Sequence, residues 1–367
     1  MDRIYLTGST ARSVRRLARQ GRGIALHPSE VHAIEPMSRK RETLSSLHLD
    51  SLWESLCLGN GRNVELLVCQ PSERIRARGI KCHVLSRPLP PGSFERLEPV
   101  FGSVASAFPH DLEVMVESPE LSFLTAAGQL SRLVARGAIG RQEAMLRLLK
   151  LGVEDCSTYA LDPWRPLEGE CSYRHAPVMD PSRLRTYLSE AAGVAGLPLA
   201  REVGELVFER SASPMETFIH ACLALPPAMG SLGLPRPEMN KEIPVSEHRR
   251  LMLNHVDHIT PDLVWETWKI IIEYLGHGSH KGDDARDEDM GRVQDYQVLG
   301  YLVFPVRFVH VQSPAAFNGL AVRLATAMDN NGGEGFQAWV KELVGDQGFL
   351  AKQRLLFATM LPPVQWA

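Results

Sequence analysis

The chain of 367 residues lacks the features that mark secreted, membrane and thiol-redox proteins. None of its six cysteines forms a C-x-x-C pair, which argues against a zinc ribbon or a thioredoxin-like site and fits a reducing compartment. The N-terminal segment has no long apolar core, and apolar runs such as residues 301–311 are too short to span a bilayer. We therefore expect a soluble, cytoplasmic protein without a membrane partner.

The sequence also lacks an overall positive charge and the common nucleotide-binding motifs. The formal net charge is −3, so no global basic field favours nucleic acid, although a local patch can still bind it. We find no P-loop, no dinucleotide fingerprint after a strand and no nucleophile elbow. These absences direct attention to acidic and histidine side chains.

The order of apolar segments and turn residues predicts an α/β (α+β) protein with more than one domain. No internal repeat or low-complexity tract stands out. We divide the chain as follows: a short basic helical N-terminus that resembles a degenerate winged helix over 1–40, a mixed α/β module over 41–160, a proline-rich linker with two helices over 161–212, a second α/β domain over 213–328, and C-terminal helices over 329–367.

The segment 9–23, STARSVRRLARQGRG, predicts a short helix that ends before Gly21 and Gly23. Its arginines recur at a spacing of three to four residues, which places them near one helix face: Arg12, Arg15, Arg16 and Arg19. We favour a solvated surface helix, and a DNA-contacting helix is the alternative.

Three acidic residues of the C-terminal half are candidates for a shared site. In SASPMETF, Ser213 suits a helix N-cap, Pro214 suits the first helical position, and Glu216 suits a capping box. The structural interpretation of Glu216 is therefore strong, but the same side chain can point from the helix into a site. Asp262 precedes an apolar strand, either as part of a turn or as part of the strand itself.

Glu273 follows the run Ile270, Ile271 and Ile272, which predicts a buried strand. The separation of Asp262 and Glu273 fits two antiparallel strands joined by a short turn, across which the two carboxylates face each other. Paired carboxylates suit Mg²⁺ or Mn²⁺, which can acidify a water and neutralise charge at phosphorus. The pattern predicts hydrolysis of a phosphodiester.

The order S-P-x-E-T, D-L-x-W, an apolar strand ending in E-Y, and G-x-x-x-H, followed by a helix and a strand, resembles the PD-(D/E)XK nucleases. The closest branch is that of the very short patch repair endonucleases. The resemblance covers about 213–328 and implies a restriction-endonuclease-like mixed sheet flanked by helices. It further implies metal ligation by Glu216, Asp262 and Glu273, a catalytic role for His280, with His277 as the alternative, and DNA as the substrate.

The stretches VELLVCQ, IKCHVLSRPLPPGSF and VMVESPELSFLTAAGQL resemble AbiEi-type antitoxins and transcriptional regulators over about 40–160. That resemblance implies a toxin or another regulatory protein as a partner. A catalytically inactive regulator is therefore the alternative to a Mg²⁺-dependent endonuclease. The choice depends partly on Leu275, which occupies the position where the nuclease motif has a lysine or an aspartate.

Other side chains near Glu273 offer weaker alternatives. Lys269 and Lys281 are candidate substitutes for the missing motif lysine. Two H-x-x-H pairs, at 255–258 and 277–280, raise the question of a zinc site. The first pair lies on strand-like sequence, where residues three apart face opposite sides, and the second lacks an obvious third ligand. We favour proton transfer over zinc binding for the histidines, because the pKa of histidine lies near neutrality.

Overall fold

The computed structural model describes residues 2–35, 63–76, 78–100, 112–250, 257–276 and 283–363. The chain divides into two compact units, Met1–Phe208 and Glu209–Ala367. The residues His255, His277, His280 and Lys281 lie outside the described ranges. No helix in the described ranges is long and apolar enough to cross a membrane. The expected mixed α/β class is confirmed.

Unit 1 contains six described strands: β1 (Asp2–Leu6), β2 (Ile24–Pro28), β3 (Val64–Val68), β4 (Ile80–Val84), β5 (Phe94–Pro99) and β6 (Leu112–Glu117). Its described α-helices are α1 (Gly8–Arg19), α2 (Pro119–Ala135), α3 (Arg141–Asp155), α4 (Pro181–Glu190) and α5 (Leu197–Gly204). The strands form one mixed sheet in the order β2-β5-β6-β1-β3-β4. The pairs β1–β6 and β3–β4 are parallel, and the other neighbours are antiparallel.

The core of unit 1 forms where α1 covers the central strands. Aliphatic side chains of β1, β3 and β6 pack against Val14 and Leu17 of α1. Every residue of β3 is buried, as expected for a central strand with few polar residues. Helix α2 has a capped start, at which Ser118 accepts a hydrogen bond from the N–H of Leu121 and Pro119 lies in the first turn.

Arg15 and Arg16 of the arginine face of α1 are buried, which corrects the expected surface helix. Arg15 and Arg16 are only 2% and 8% exposed. Arg16 donates through Nε and Nη2 to the two carboxylate oxygens of Glu154 on α3, at 2.7 and 2.5 Å. Arg19 donates to the carbonyls of Glu154 and Ser157. These guanidinium groups therefore hold α1 against α3 inside the protein.

Two expected boundaries are also wrong. Residues 1–40 do not form a separate N-terminus, because β1 and β2 belong to the six-stranded sheet. Residues 161–208 do not form a linker, because they belong to unit 1. Ala160 and Ser172 form a β-bridge, and Leu184 of α4 and Val203 of α5 are fully buried. The prolines of this segment fix turns in a packed region instead of separating domains.

Unit 2 contains six described strands: β7 (Glu238–Met239), β8 (Ile243–Pro244), β9 (His258–Ile259), β10 (Leu263–Trp265), β11 (Ile270–Tyr274) and β12 (Leu302–Val306). Its described α-helices are α6 (Pro214–Ala224), α7 (Glu247–Arg250), α8 (Asp283–Val298), α9 (Phe308–Val311), α10 (Pro314–Asn330), α11 (Phe336–Gly345) and α12 (Gln347–Met360). A four-stranded mixed sheet has the order β12-β11-β10-β7, and β8 pairs with β9.

The strand β11 lies at the centre of this sheet and is paired on both sides. It forms the predicted antiparallel hairpin with β10, and it runs parallel to β12, which follows helix α8. Val293 and Tyr296 of α8 pack on the sheet face that carries Ile271. On α6, Phe218 makes an edge-to-face contact with Phe357 of α12, with ring centroids 4.9 Å apart. The C-terminal helices are thus part of unit 2, which corrects their expected separation at residue 329.

Candidate functional site

Glu216 lies in the first turn of α6, where the sequence predicts a capped helix start. Ser213 accepts a hydrogen bond from the N–H of Glu216 at 3.2 Å, and Pro214 opens the helix. The Glu216 carboxylate accepts from the N–H of Ala212 at 2.8 Å. The side chain is 5% exposed, so the capping role and the burial of a carboxylate coexist at this position.

Asp262 and Glu273 lie opposite each other at the open end of the β10–β11 hairpin. The register pairs Leu263 with Ile272, so the next positions along the two strands are Asp262 and Glu273. The Asp262 N–H donates to Glu273 Oε2 at 3.4 Å, and the N–H of Tyr274 donates to Asp262 Oδ2 at 2.6 Å. The predicted juxtaposition of these two residues is confirmed.

Asn240 links Glu216 to this hairpin. Its Nδ2 donates to Glu216 Oε2 at 2.6 Å, and its backbone N–H donates to the carbonyl of Asp262 at 3.1 Å. Asn240 has a φ of +45°, a left-handed conformation that asparagine tolerates better than most residues. The residue after β7 therefore joins the helix carboxylate to the backbone of Asp262.

A guanidinium group from α8 approaches the opposite side of the cluster. Arg292 Nη1 lies 2.9 Å from Glu273 Oε1, while the Glu273 side chain has no solvent exposure and that of Arg292 is 48% exposed. The contact is an ion pair that lacks the alignment of a hydrogen bond. The partly exposed guanidinium group of Arg292 therefore contacts the fully buried carboxylate of Glu273.

The three carboxylates interact through their charges. Burial, and after it the charge of Asp262, raises the pKa of Glu216 to about 8. Burial and Asp262 likewise raise the pKa of Glu273 to about 8, and Arg292 opposes this rise. Like charges in a poorly solvated site favour the neutral form, so these carboxyls retain protons at pH values where an exposed glutamate is ionised.

The donor types suit a hard cation, but their arrangement as it stands is not a ready metal site. No group of three His, Cys, Asp or Glu side chains within the described ranges is placed to hold a metal ion. The protein contacts explain this, because Ala212 and Asn240 hold Glu216, Tyr274 holds Asp262, and Arg292 faces Glu273. Metal ligation by the three carboxylates therefore remains a prediction that requires some of these contacts to change.

The remaining candidates from the sequence are Leu275, Lys269, His258 and His280. Leu275 is buried at 7% exposure and occupies the motif position with an apolar side chain. Lys269 lies in the hairpin turn, where its Nζ is 4.8 Å from the centroid of the Tyr301 ring, so it does not replace the motif lysine. His258 is exposed on β9, and the catalytic candidate His280 lies outside the described residues.

Neither Asn240 nor Arg292 is among the site residues that the sequence pattern predicts. Asn240 follows a two-residue strand, and the segment EMNKE reads as an ordinary turn. Arg292 lies 19 positions beyond Glu273 on a strongly acidic helix, so its partner depends on how α8 packs on the sheet. In hindsight, the left-handed preference of asparagine was the one available signal.

Comparisons of the chain with protein-family models, with curated proteins and with solved structures returned no match.

Proposed function

We propose that unit 2 is a divalent-cation-dependent phosphodiesterase of the PD-(D/E)XK type that acts on DNA. One observation carries the proposal. Glu216 from a helix start, Asp262 from the beginning of a strand and Glu273 from the end of the next strand interact as one largely buried acidic cluster. Buried carboxylates with strongly raised pKa values are uncommon outside functional sites, because their burial is costly unless a cation compensates it.

The element order supports the same proposal. Helix α6, the antiparallel strands β7, β10 and β11, helix α8 and the parallel strand β12 follow one another as the resemblance to the nucleases implies. The acids lie where the resemblance places the metal ligands. This agreement concerns arrangement alone, since the same type of sheet supports many functions.

The chemistry assigns distinct roles to the residues. Glu216, Asp262 and Glu273 would hold Mg²⁺ or Mn²⁺, which when bound acidifies a water and neutralises charge at phosphorus. Glu216 and Glu273 would release their protons as they take up this role. Arg292, freed from Glu273, would be available to a phosphate oxygen of the substrate. His280 is proposed to accept or donate the proton that the reaction moves.

A second candidate function rests on Leu275 and on the Arg292–Glu273 ion pair. An apolar residue at the motif position cannot bind a cation or orient water, and Arg292 already supplies a positive charge to Glu273. In this alternative, unit 2 is the inactive scaffold of an AbiEi-type regulator. It binds DNA or a protein partner such as a toxin, and its carboxylates have a structural role.

Cleavage of labelled duplex and single-stranded DNA tests the first proposal. We expect the wild-type protein to cleave one of these substrates with Mg²⁺ or Mn²⁺. Asp262→Asn should lower the rate at least about 100-fold, because the amide keeps the shape and the acceptor for Tyr274 but loses the charge. Arg323→Gln, at an exposed position of α10, is the matched control. Absence of cleavage by the wild type with either cation would favour the regulator.

A further inference from the structure

A cavity of about 210 Å³ lies in unit 1, remote in sequence from the acidic cluster of unit 2. It opens between the ends of β3 and β4, one face of α2, and the loop that precedes α5. The polar side chains that line it are Thr7, His83, Ser86, Arg87, Thr125, Gln129 and Arg132. Nothing in the proposed function of unit 2 uses these residues.

Backbone packing defines one wall of this cavity. A Cβ atom at Gly128 would lie 2.7 Å from the carbonyl oxygen of Ala195, and a Cβ atom at Gly196 would lie 2.2 Å from the nitrogen of Gly128. Only glycine permits this approach of α2 to the loop. Arg87 lies across the same loop, since its Nε would be 3.5 Å from a Cβ atom at Gly193. The wall is therefore fixed before any ligand enters.

The floor of the cavity is an internally satisfied polar layer. The fully buried Glu117 accepts hydrogen bonds from the hydroxyl groups of Thr7 and Thr125, the latter at 3.2 Å. Glu117 Oε2, which accepts from Thr125, also accepts from the N–H of Gly8 at 3.2 Å. A second carboxylate, Glu65, accepts from His83 Nε2 at 2.6 Å. These contacts place the Thr7 hydroxyl and the His83 ring at fixed positions along the cavity.

The charge of Glu65 is compensated inside the protein. Besides His83, Ser9 donates to it at 2.7 Å, and Lys81 Nζ lies 3.4 Å from its Oε2. Burial alone would raise its pKa, but the contacts with His83, Ser9 and Lys81 lower it to about 2. Glu65 is therefore ionised and paired, and it leaves little negative charge to repel an anion at the cavity mouth.

The cavity mouth carries two arginines that have no acidic partner among the described residues. Arg87 and Arg132 are exposed and line the cavity from two elements, the segment after β4 and α2. The Gln129 side chain also lines the cavity and makes no hydrogen bond within the described part of the chain. Guanidinium groups bind phosphate oxygens in a bidentate manner, and an amide can complete the set of donors.

We propose that this cavity binds a phosphate monoester group, which Arg87 and Arg132 hold with the help of Gln129. Two free guanidinium groups match the charge of a phosphate dianion better than that of a single carboxylate. The phosphate could belong to a small molecule or to the 5′ end of a DNA strand. Both sources present the same group to the cavity, and the experiment separates them.

Isothermal titration of the full chain without divalent metal tests the proposal. The probes are inorganic phosphate, thymidine 5′-monophosphate, and one single-stranded oligonucleotide with either a 5′-phosphate or a 5′-hydroxyl group. We expect saturable binding of the nucleotide if the ligand is a small molecule. Binding of the oligonucleotide that requires its 5′-phosphate, without binding of the nucleotide, would assign the site to a DNA end.

The variants decide whether this binding belongs to the cavity. Arg87→Ala and Arg132→Ala should each weaken it about tenfold, because each removes a charged pair of hydrogen bonds. Arg136→Ala, at the exposed position that follows the last residue of α2, is the matched control and should leave affinity unchanged. Asp262→Asn should bind as the wild type does, which separates this site from that of unit 2. No saturable binding of any probe, or binding that both arginine variants retain, would overturn the proposal.

Discussion

The guanidinium group of Arg292 lies 2.9 Å from Glu273, a carboxylate with no exposure to solvent. This ion pair places one positive charge beside three interacting acids, whose other contacts include backbone N–H groups and an amide. With this single cation, Glu216 and Glu273 keep their protons near neutral pH. In our account, a divalent cation supplies the further positive charge that lets them ionise, and it displaces Arg292 towards substrate.

Exchange between Arg292 and a cation is the first testable consequence. Arg292→Gln removes a like charge from the position that the cation approaches, so we expect Mn²⁺ to bind about tenfold more tightly. Calorimetry of the variant against the wild type gives this ratio. Arg323→Gln should leave the affinity unchanged. Weaker Mn²⁺ binding by Arg292→Gln would show that the arginine supports the cation and does not compete with it.

The raised pKa values of Glu216 and Glu273 predict a pH-dependent stability. Each group has a pKa of about 8 in the folded protein and 4.5 as the reference value, so the folded state holds more protons between these limits. The contribution of these two groups to the free energy of unfolding should therefore be fully present below about pH 4.5. It should decrease as the pH rises from about 4.5 to about 8.

Urea unfolding of Glu273→Gln measures this contribution. The amide does not titrate, so the decline with pH should be less steep than in the wild type, by up to about 1.4 kcal/mol per pH unit. Glu334→Gln, at an exposed position, should follow the wild-type profile. Identical slopes for wild type and Glu273→Gln would mean that the pKa of Glu273 is the same in the folded and the unfolded protein.

Proton release should accompany cation binding. Near neutral pH, Glu216 and Glu273 hold protons that a bound cation must displace. We expect the heat of Mn²⁺ binding to depend on the ionisation enthalpy of the buffer, and the affinity to increase as pH rises towards 8. Binding heats that are equal in two buffers of different ionisation enthalpy would argue that neither carboxyl loses a proton.

The buried ion pair of unit 1 predicts a large loss of stability on truncation. Glu154→Ala leaves Arg16 without its bidentate partner inside the protein, which should lower the free energy of unfolding by about 3–5 kcal/mol. Glu202→Ala breaks the exposed pair with Arg141 and should cost less than about 1 kcal/mol. Denaturant unfolding of both variants provides the comparison, and equal losses would contradict the structural role of Arg16.

Sequence reasoning succeeded where short-range patterns control the structure. The triple isoleucine predicts β11, the serine–proline start predicts α6, and the spacing from Asp262 to Glu273 predicts their hairpin. Each of these features depends on residues close together in the chain. The position of a helix cap or a short hairpin follows from backbone chemistry that neighbouring residues determine.

Long-range packing explains the failures. The arginines of α1 read as a solvated face because arginine is rarely buried, but Glu154 of α3 compensates Arg16 from 138 positions away. The central position of β1 in the sheet depends on pairing with β6, which no local pattern encodes. The contact between Arg292 and Glu273 likewise depends on how helix α8 packs on the sheet. Contacts between residues far apart in the sequence follow from the arrangement of whole helices and strands.

Calorimetric titration of Mn²⁺ into the wild-type protein and Asp262→Asn, alone and with a bound oligonucleotide, tests the central claim most directly. Our account predicts binding by the wild type in at least the DNA-bound state, and its loss in the variant. The amide preserves the acceptor for Tyr274, so the variant should stay folded, which thermal unfolding checks. Wild-type protein that binds no Mn²⁺ in either state, or a variant that binds equally well, would contradict a cation site formed by Glu216, Asp262 and Glu273.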